Sequence, residues 1–270
     1  MANSSHNPLS IASIILYSLY NIYSLYNINN FYKKMDNYTR NYQNPTELAS
    51  SFSVLMRNVY TWMAVGLALT ALTAYLVAGS ESIIYTIAST PILMWVLFGG
   101  ELALVWYLSS RILSMSFNSA MIMFLIYAVL NGVTMSFIFL AYTASSIAQA
   151  FLVTAGTFAG MSLLGYTTKT NLSTFGRIMF MALIGLIIAS VVNFFMASSA
   201  LEMIINYVGV LIFIGLTAYD TQKIKEMMLY YSDGGISDQH NKIALMGSLS
   251  LYLDFINLFL YILRILNRRD

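Results

Sequence analysis

The chain has 270 residues, of which 59% are hydrophobic and only 9% are charged, against about 25% charged residues in an average soluble domain. Its net charge of +2 is too small to indicate nucleic acid binding, and the lack of cysteine excludes disulfides, thiolate metal sites and a cysteine nucleophile. The apolar residues come in blocks with most charges between them, which predicts a helical membrane protein of one domain.

Seven apolar segments follow one another along the chain. Each is long enough to cross a hydrocarbon core of about 30 Å as an α-helix. Pro91 lies within the second segment, where it either kinks a helix or marks the start of one. Gly156 and Gly160 in the fourth segment have the GxxxG spacing that favours close helix packing in lipid. The predicted spans are 53–78, 83–108, 118–142, 146–166, 178–199, 203–224 and 243–266.

The N-terminal part of the chain is predicted to be a tail, residues 1–51, ahead of a seven-helix transmembrane domain at residues 52–270. Residues 1–34 are weakly apolar and lack the basic region that begins a secretory signal. We interpret them as sequence upstream of a natural start at Met35, with a weak interfacial helix as the alternative. Residues 35–51 are polar and are expected to be solvated.

The basic residues between the spans predict the orientation in the membrane. If seven helices alternate, ten Lys and Arg residues fall on one side and three on the other, so the positive-inside rule places the N-terminus in the cytoplasm. The three are Arg264, Arg268 and Arg269, so either the C-terminus violates the rule or the last segment is re-entrant. The ten are Lys33, Lys34, Arg40, Arg57, Arg111, Lys169, Arg177, Lys223, Lys225 and Lys242.

Five ionisable side chains lie inside the apolar spans or at their ends. A charge at the centre of a membrane helix costs on the order of 2.5–3.5 kcal/mol by insertion scales. Asp254 lies near the middle of the seventh span, so its carboxyl group must face the protein interior, find a partner or carry a proton. The others are Glu101 and Arg111 in the second span, Asp220 in the sixth and Arg264 in the seventh.

The spacing of these charges predicts two contacts between the second and seventh spans. Glu101 and Arg111 are ten residues apart, as are Asp254 and Arg264, which is a rise of about 15 Å along a helix. Because the two spans are predicted to run antiparallel, Arg111 is expected to meet Asp254, and Glu101 to meet Arg264. The alternative is that both arginines extend to opposite interfaces as anchors. Spacing assigns no partner to Asp220.

The sequence contains no recognisable catalytic set. The two histidines are His6, in the tail, and His240, in a polar loop. No zinc-protease, nucleophile-elbow or phosphate-loop pattern occurs, and no Ser–His–Asp set can be built within the spans. We therefore expect no enzymatic activity and no permanently bound cofactor.

Two segments in the last two spans resemble the Bax inhibitor (transmembrane Bax-inhibitor-motif) family. They are residues 215–225, with the sequence GLTAYDTQKIK, and residues 248–259, with the sequence SLSLYLDFINLF. The resemblance covers about Met35 to Asp270, and the abundance of Asn, Tyr and Ile is similar to that of a bacterial member. It implies an all-α membrane protein, a seven-helix bundle with the last helix central, in the bacterial cytoplasmic (inner) membrane.

The resemblance also implies roles for the five ionisable residues. In that family an aspartate of the sixth helix and one of the seventh form a hydrogen-bonded pair, and the motifs place these at Asp220 and Asp254. A basic residue at the end of the second helix joins the pair, and Arg111 is the candidate. A glutamate of the second helix and a late arginine of the seventh form a latch, which corresponds to Glu101 and Arg264.

The function implied by the resemblance is a pH-sensitive calcium leak channel. The two carboxyl groups would share a proton in the closed state, and after ionisation Asp220 and Asp254 would separate and offer oxygen ligands to Ca²⁺, the transported ion. The expected partners are the lipid bilayer, Ca²⁺ and protons. The alternatives are a proton-coupled carrier that uses the same pair, and a non-transporting regulator of membrane proteases or of cell-death and stress factors, which would bind through residues 35–51 and 226–242.

Overall fold

The structure is a computed structural model that describes residues 45–231 and 238–267, and its regular structure in these two stretches is α-helical. The tail before residue 45, residues 232–237 of the predicted partner-binding loop, and Arg268 and Arg269 lie outside the described residues. The helices in chain order are α1 (Pro45–Ala78), α2 (Glu81–Ser89), α3 (Pro91–Arg111), α4 (Phe117–Met135), α5 (Ile138–Ala141), α6 (Ala144–Thr167), α7 (Ser173–Met196), α8 (Ser199–Tyr231) and α9 (Asp238–Leu266).

Seven stretches of the described chain are long and apolar enough to cross a membrane. They confirm the predicted all-α membrane fold with seven spans, while the orientation in the bilayer stays a prediction. The third stretch comprises α4 and α5, and each of the others lies in one long helix. The stretches are Phe52–Ala78, Pro91–Arg111, Phe117–Ala141, Ala144–Thr167, Ser173–Met196, Ser199–Met227 and Gln239–Leu266.

Pro91 begins a helix instead of kinking one. Helix α3 starts at Pro91, and the chain before it forms the separate short helix α2, which ends at Ser89. Proline is favoured at the first position of a helix because the N–H that it lacks would have no acceptor within the helix there. The predicted second span, 83–108, is therefore divided between α2 and α3.

Helix α8 extends beyond the predicted sixth span of 203–224. It runs from Ser199 to Tyr231, so that Lys223 and Lys225 are helical residues. Lys223 lies at the end of the predicted span but was counted among the basic residues between the spans. That count is wrong for Lys223, because the helix continues past it and its side chain is buried. This basic residue therefore does not belong to the solvated loop charges from which the orientation was predicted.

Helix α9 is the most completely buried of the seven spans. In its most apolar stretch every residue is buried, whereas the corresponding share in the other six spans is 22–50%. It packs against α1, α4, α6 and α8. The other spans expose apolar side chains such as Trp95 and Phe195, which are suited to contact with lipid. The burial of α9 fits the predicted central position, which stays a prediction.

Gly165 is the position at which α6 packs against the backbone of α8. A Cβ atom added to Gly165 would lie 2.2 Å from the carbonyl oxygen of Ala218 in α8, so a glycine is required for these two helices to pack as they do. At Gly156 and Gly160 an added Cβ would meet nothing within 4 Å. The GxxxG pair therefore does not form the close packing expected of it within this chain, and Gly165 has that role.

Gly165→Ala is expected to destabilise the protein by about 1–3 kcal/mol, the typical cost of forcing an extra methyl group into a packed interior. Gly156→Ala is the matched control in the same helix, and it should be neutral or slightly stabilising because alanine is the better helix former. Thermal unfolding of the purified protein in detergent measures both. Equal melting temperatures for the two variants would contradict the close approach at Gly165.

Candidate functional site

The two predicted aspartates lie in one helix interface. Asp220 on α8 and Asp254 on α9 are completely buried, and these two helices pack against each other. The Ser250 hydroxyl donates a hydrogen bond to Oδ2 of Asp220. Ser250 precedes Asp254 by four residues, so both side chains are on the face of α9 that is turned toward α8. A hydrogen-bonded pair of the two carboxyl groups stays a prediction.

Lys223 lies beside the same two aspartates. It follows Asp220 by three residues on α8, and only 4% of its surface is exposed. Its ammonium group interacts electrostatically with Asp220, with Asp254 and with Glu226. Its Nζ atom is 5.8 Å from the centre of the Tyr219 ring. A buried ammonium group is costly unless carboxylates compensate its charge, and the two aspartates of this interface provide that compensation.

Lys223 and Ser250 were not predicted as members of this site, although a signal for both is present in the sequence. Each lies three or four residues from one of the aspartates, a spacing that puts two helical side chains on the same face. Lys223 was counted among the basic residues between the spans, so this spacing was not applied to it.

Arg111 is not brought to the aspartates in this structure. It is exposed at the end of α3, where its backbone carbonyl accepts hydrogen bonds from the N–H groups of Ser114 and Met115. Within residues 45–231 and 238–267, no hydrogen bond or ion pair joins Arg111 to Asp220 or Asp254. Its predicted place as the counter-charge of the pair therefore has no support in this structure, and Lys223 is the cation that interacts with both.

Glu101 is buried in a hydrogen-bond network that includes the last helix. Its Oε1 accepts a hydrogen bond from Thr134 Oγ1 at 2.8 Å, and the Asn131 side chain also bonds to the carboxyl group. The Tyr252 hydroxyl on α9 is 3.1 Å from Asn131 Oδ1 and 2.7 Å from the Thr70 hydroxyl. The network therefore links α3 and α4 to α9 and, through Thr70, to α1.

Arg264 lies in the last turn of α9, close to aromatic side chains. Its guanidinium carbon is 5.7 Å from the centre of the Tyr261 ring. Tyr142 lies between the third and fourth spans. Burial raises the pKa of its phenol, and the nearby positive charge of Arg264 opposes that rise. In the part of the chain that the structure describes, no hydrogen bond or ion pair joins Arg264 to Glu101, so the predicted latch stays a prediction.

The donors in the α8–α9 interface are suited to a hard cation. The two aspartates and the Ser250 hydroxyl provide oxygen atoms, which Ca²⁺ prefers as ligands. The described residues contain no group of three or more His, Cys, Asp or Glu side chains able to hold a metal ion. The site therefore offers only two carboxylates to a cation, together with a neighbouring ammonium group.

A family model described as "Inhibitor of apoptosis-promoting Bax1" matches residues 53–270. Inner membrane protein YbhL of Escherichia coli strain K12 is 48% identical over 214 residues, which are 79% of this chain and 91% of the relative. An uncharacterized protein of Borreliella burgdorferi is 44% identical over 214 residues, with coverages of 79% and 91%. An uncharacterized protein of Rickettsia prowazekii is 41% identical over 216 residues, with coverages of 80% and 90%.

The family-model match extends from the first membrane span to the C-terminus and includes both segments that carry the sequence resemblance. Since the family model covers most of the chain and the relatives align over about nine-tenths of their own length, the chain belongs to the Bax inhibitor family.

Proposed function

We propose that this protein is a pH-sensitive calcium leak channel of the bacterial cytoplasmic (inner) membrane, gated by the ionisation of Asp220 and Asp254. The membrane is supported by the seven apolar spans and by the name of the E. coli relative, an inner membrane protein. The observation that carries the proposal is the burial of two carboxyl groups in the α8–α9 interface, since their oxygen atoms are of the kind that Ca²⁺ prefers as ligands.

In the closed state one proton is shared in the interface. Two carboxylates in a poorly solvated site cannot both ionise cheaply, so a bound proton removes their repulsion. The hydrogen bond from Ser250 to Asp220 adds a direct link between α9 and α8. With these contacts in place, the interface is dry and closed to ions.

In the open state both aspartates are ionised. Their mutual repulsion favours separation of α8 from α9, and a Ca²⁺ ion that enters the gap neutralises them. The leak should therefore increase as pH rises through the titration of the pair. A leak needs no proton gradient, which separates this function from the proton-coupled carrier that would use the same two residues.

Asp254→Asn and Asp220→Asn are each expected to remove most of the pH dependence of calcium leak, because an amide cannot ionise. Calcium entry into proteoliposomes, followed with a trapped dye at several pH values without a proton gradient, measures the effect. Glu81→Gln is the control, since Glu81 is an exposed carboxylate in the first turn of α2. A wild-type pH profile in Asp254→Asn, or leak only in the presence of a proton gradient, would sink the proposal.

The opposite face of α9 is proposed to stay in place during opening. Tyr252 on this face is hydrogen-bonded to the network around Glu101, and the Ser248 hydroxyl lies 2.8 Å from the Val59 carbonyl oxygen of α1. None of these contacts involves Asp220 or Asp254, so ionisation of the two aspartates is proposed to act on α8. A latch between Glu101 and Arg264 would require Glu101 to leave this network.

Tyr252→Phe is expected to destabilise the protein by about 1–3 kcal/mol, because it leaves buried partners of the hydroxyl without a hydrogen bond. Tyr261→Phe is the matched control: it is equally buried on α9, and its hydroxyl has no hydrogen-bond partner among the described residues. Thermal unfolding in detergent compares the two. If Tyr261→Phe is as destabilising as Tyr252→Phe, the network does not anchor this face.

A further inference from the structure

We propose that the Lys223 ammonium group is a resident cation of the α8–α9 interface. It occupies the position that Ca²⁺ would take, and it must leave before Ca²⁺ can bind. The inference rests on the proposed function, since it concerns the same two aspartates. It begins from the burial of Lys223 and from its electrostatic interactions with Asp220 on its own helix and with Asp254 on the neighbouring one.

The surroundings of Lys223 direct its ammonium group to the acidic interface. The Tyr219 ring lies 5.8 Å from Nζ, within the range of a cation–π interaction. The ring has little room to move, because a Cβ atom added to Gly176 of α7 would come within 2.4 Å of it. The ammonium group of Lys223 therefore has a positioned ring beside it, and it interacts electrostatically with both aspartates.

The charge balance makes Lys223 and Ca²⁺ mutually exclusive. With both aspartates ionised, the interface has two negative charges, of which the ammonium group neutralises one. Ca²⁺ alone neutralises both, whereas Ca²⁺ together with a nearby ammonium group produces an excess of positive charge and direct repulsion. An ion that enters between the carboxylates therefore competes with Lys223 for the same oxygen atoms.

Glu226 provides an alternative position for the ammonium group. It lies three residues beyond Lys223 on α8, is less completely buried, and already interacts with Lys223 electrostatically. The four-carbon stem of lysine is flexible enough to move its charge between neighbouring acceptors. The expected exchange is therefore a movement of Nζ from the two aspartates toward Glu226 when Ca²⁺ arrives.

Lys225 differs from Lys223 in its contacts. Its Nζ donates a hydrogen bond to the Tyr166 carbonyl oxygen at 3.3 Å and lies over the rings of Phe52 and Tyr166. It is on the same helix, two residues away, and has a different set of neighbours. Lys225→Met is therefore a matched control for the removal of a lysine charge from this part of α8.

Lys223→Met is expected to tighten Ca²⁺ binding by at least about tenfold, because it removes the competing charge and leaves both carboxylates. Binding is measured on the full chain in detergent as the rise in melting temperature during titration with CaCl₂. Lys223→Arg, which retains the charge, and Lys225→Met should bind as the wild type does. Unchanged or weaker binding by Lys223→Met, or an equal gain in Lys225→Met, overturns the inference.

A second measurement uses the wild-type protein, so it does not depend on the folding of a variant. Amine labelling with a small reagent, read by mass spectrometry, should show faster modification of Lys223 when CaCl₂ is added, because its ammonium group then moves toward Glu226. Labelling of Lys225 should not change. A Lys223 labelling rate that is independent of CaCl₂ overturns the inference.

The two proposals fail in different experiments. Suppose that Lys223→Met binds Ca²⁺ more tightly in detergent but the wild-type protein shows no calcium leak in vesicles. This result would support the role of Lys223 and refute the channel. Suppose instead that the leak depends on Asp254 but Lys223→Met binds Ca²⁺ as the wild type does. This result would support the channel and refute the role of Lys223 as a resident cation.

Discussion

The cost of placing charge inside a membrane protein is the constraint on which the arrangement of α8 and α9 depends. Asp220, Lys223 and Asp254 are buried in one interface, and each would be expensive there without the others. Their mutual compensation means that a change of charge at any one position alters the balance at the other two. Unlike an apolar interface, an interface of this kind contains groups whose charge can be neutralised by a proton or a cation.

The fold was largely predictable because membrane spans depend on the length and hydrophobicity of contiguous segments. The structure has the seven expected spans, and its differences are local: Pro91 starts a helix, and α8 continues to Tyr231 with Lys223 buried. The second difference has a physical origin. A lysine usually marks the water boundary, and hydrophobicity alone gives no sign that two carboxylates compensate its charge within the helix bundle.

The candidate site was predictable in part. The motifs indicated Asp220 and Asp254, and the structure places both in one interface. The antiparallel register predicted Arg111 beside Asp254, yet Arg111 is exposed and Lys223 interacts with both aspartates. The register of two antiparallel helices indicates only which residues lie at the same depth in the membrane. Contact also requires that both side chains point to the same interface. Spacing within one helix, such as the three residues from Asp220 to Lys223, is the more reliable guide because it fixes direction as well as depth.

Helix α9 has two polar faces with different chemistry. Residues two apart on a helix point about 200° apart, so Tyr252 is directed away from Ser250 and Asp254. On one side, hydroxyl, amide and Glu101 groups form a hydrogen-bond network with α3, α4 and α1; on the other, carboxylates and an ammonium group face α8. The network contains one carboxyl group, that of Glu101, whereas the face turned toward α8 brings two carboxyl groups and an ammonium group into one interface. In the proposed gating, ionisation of Asp220 and Asp254 acts on the face turned toward α8, while the hydrogen-bond network holds the other face to α1, α3 and α4.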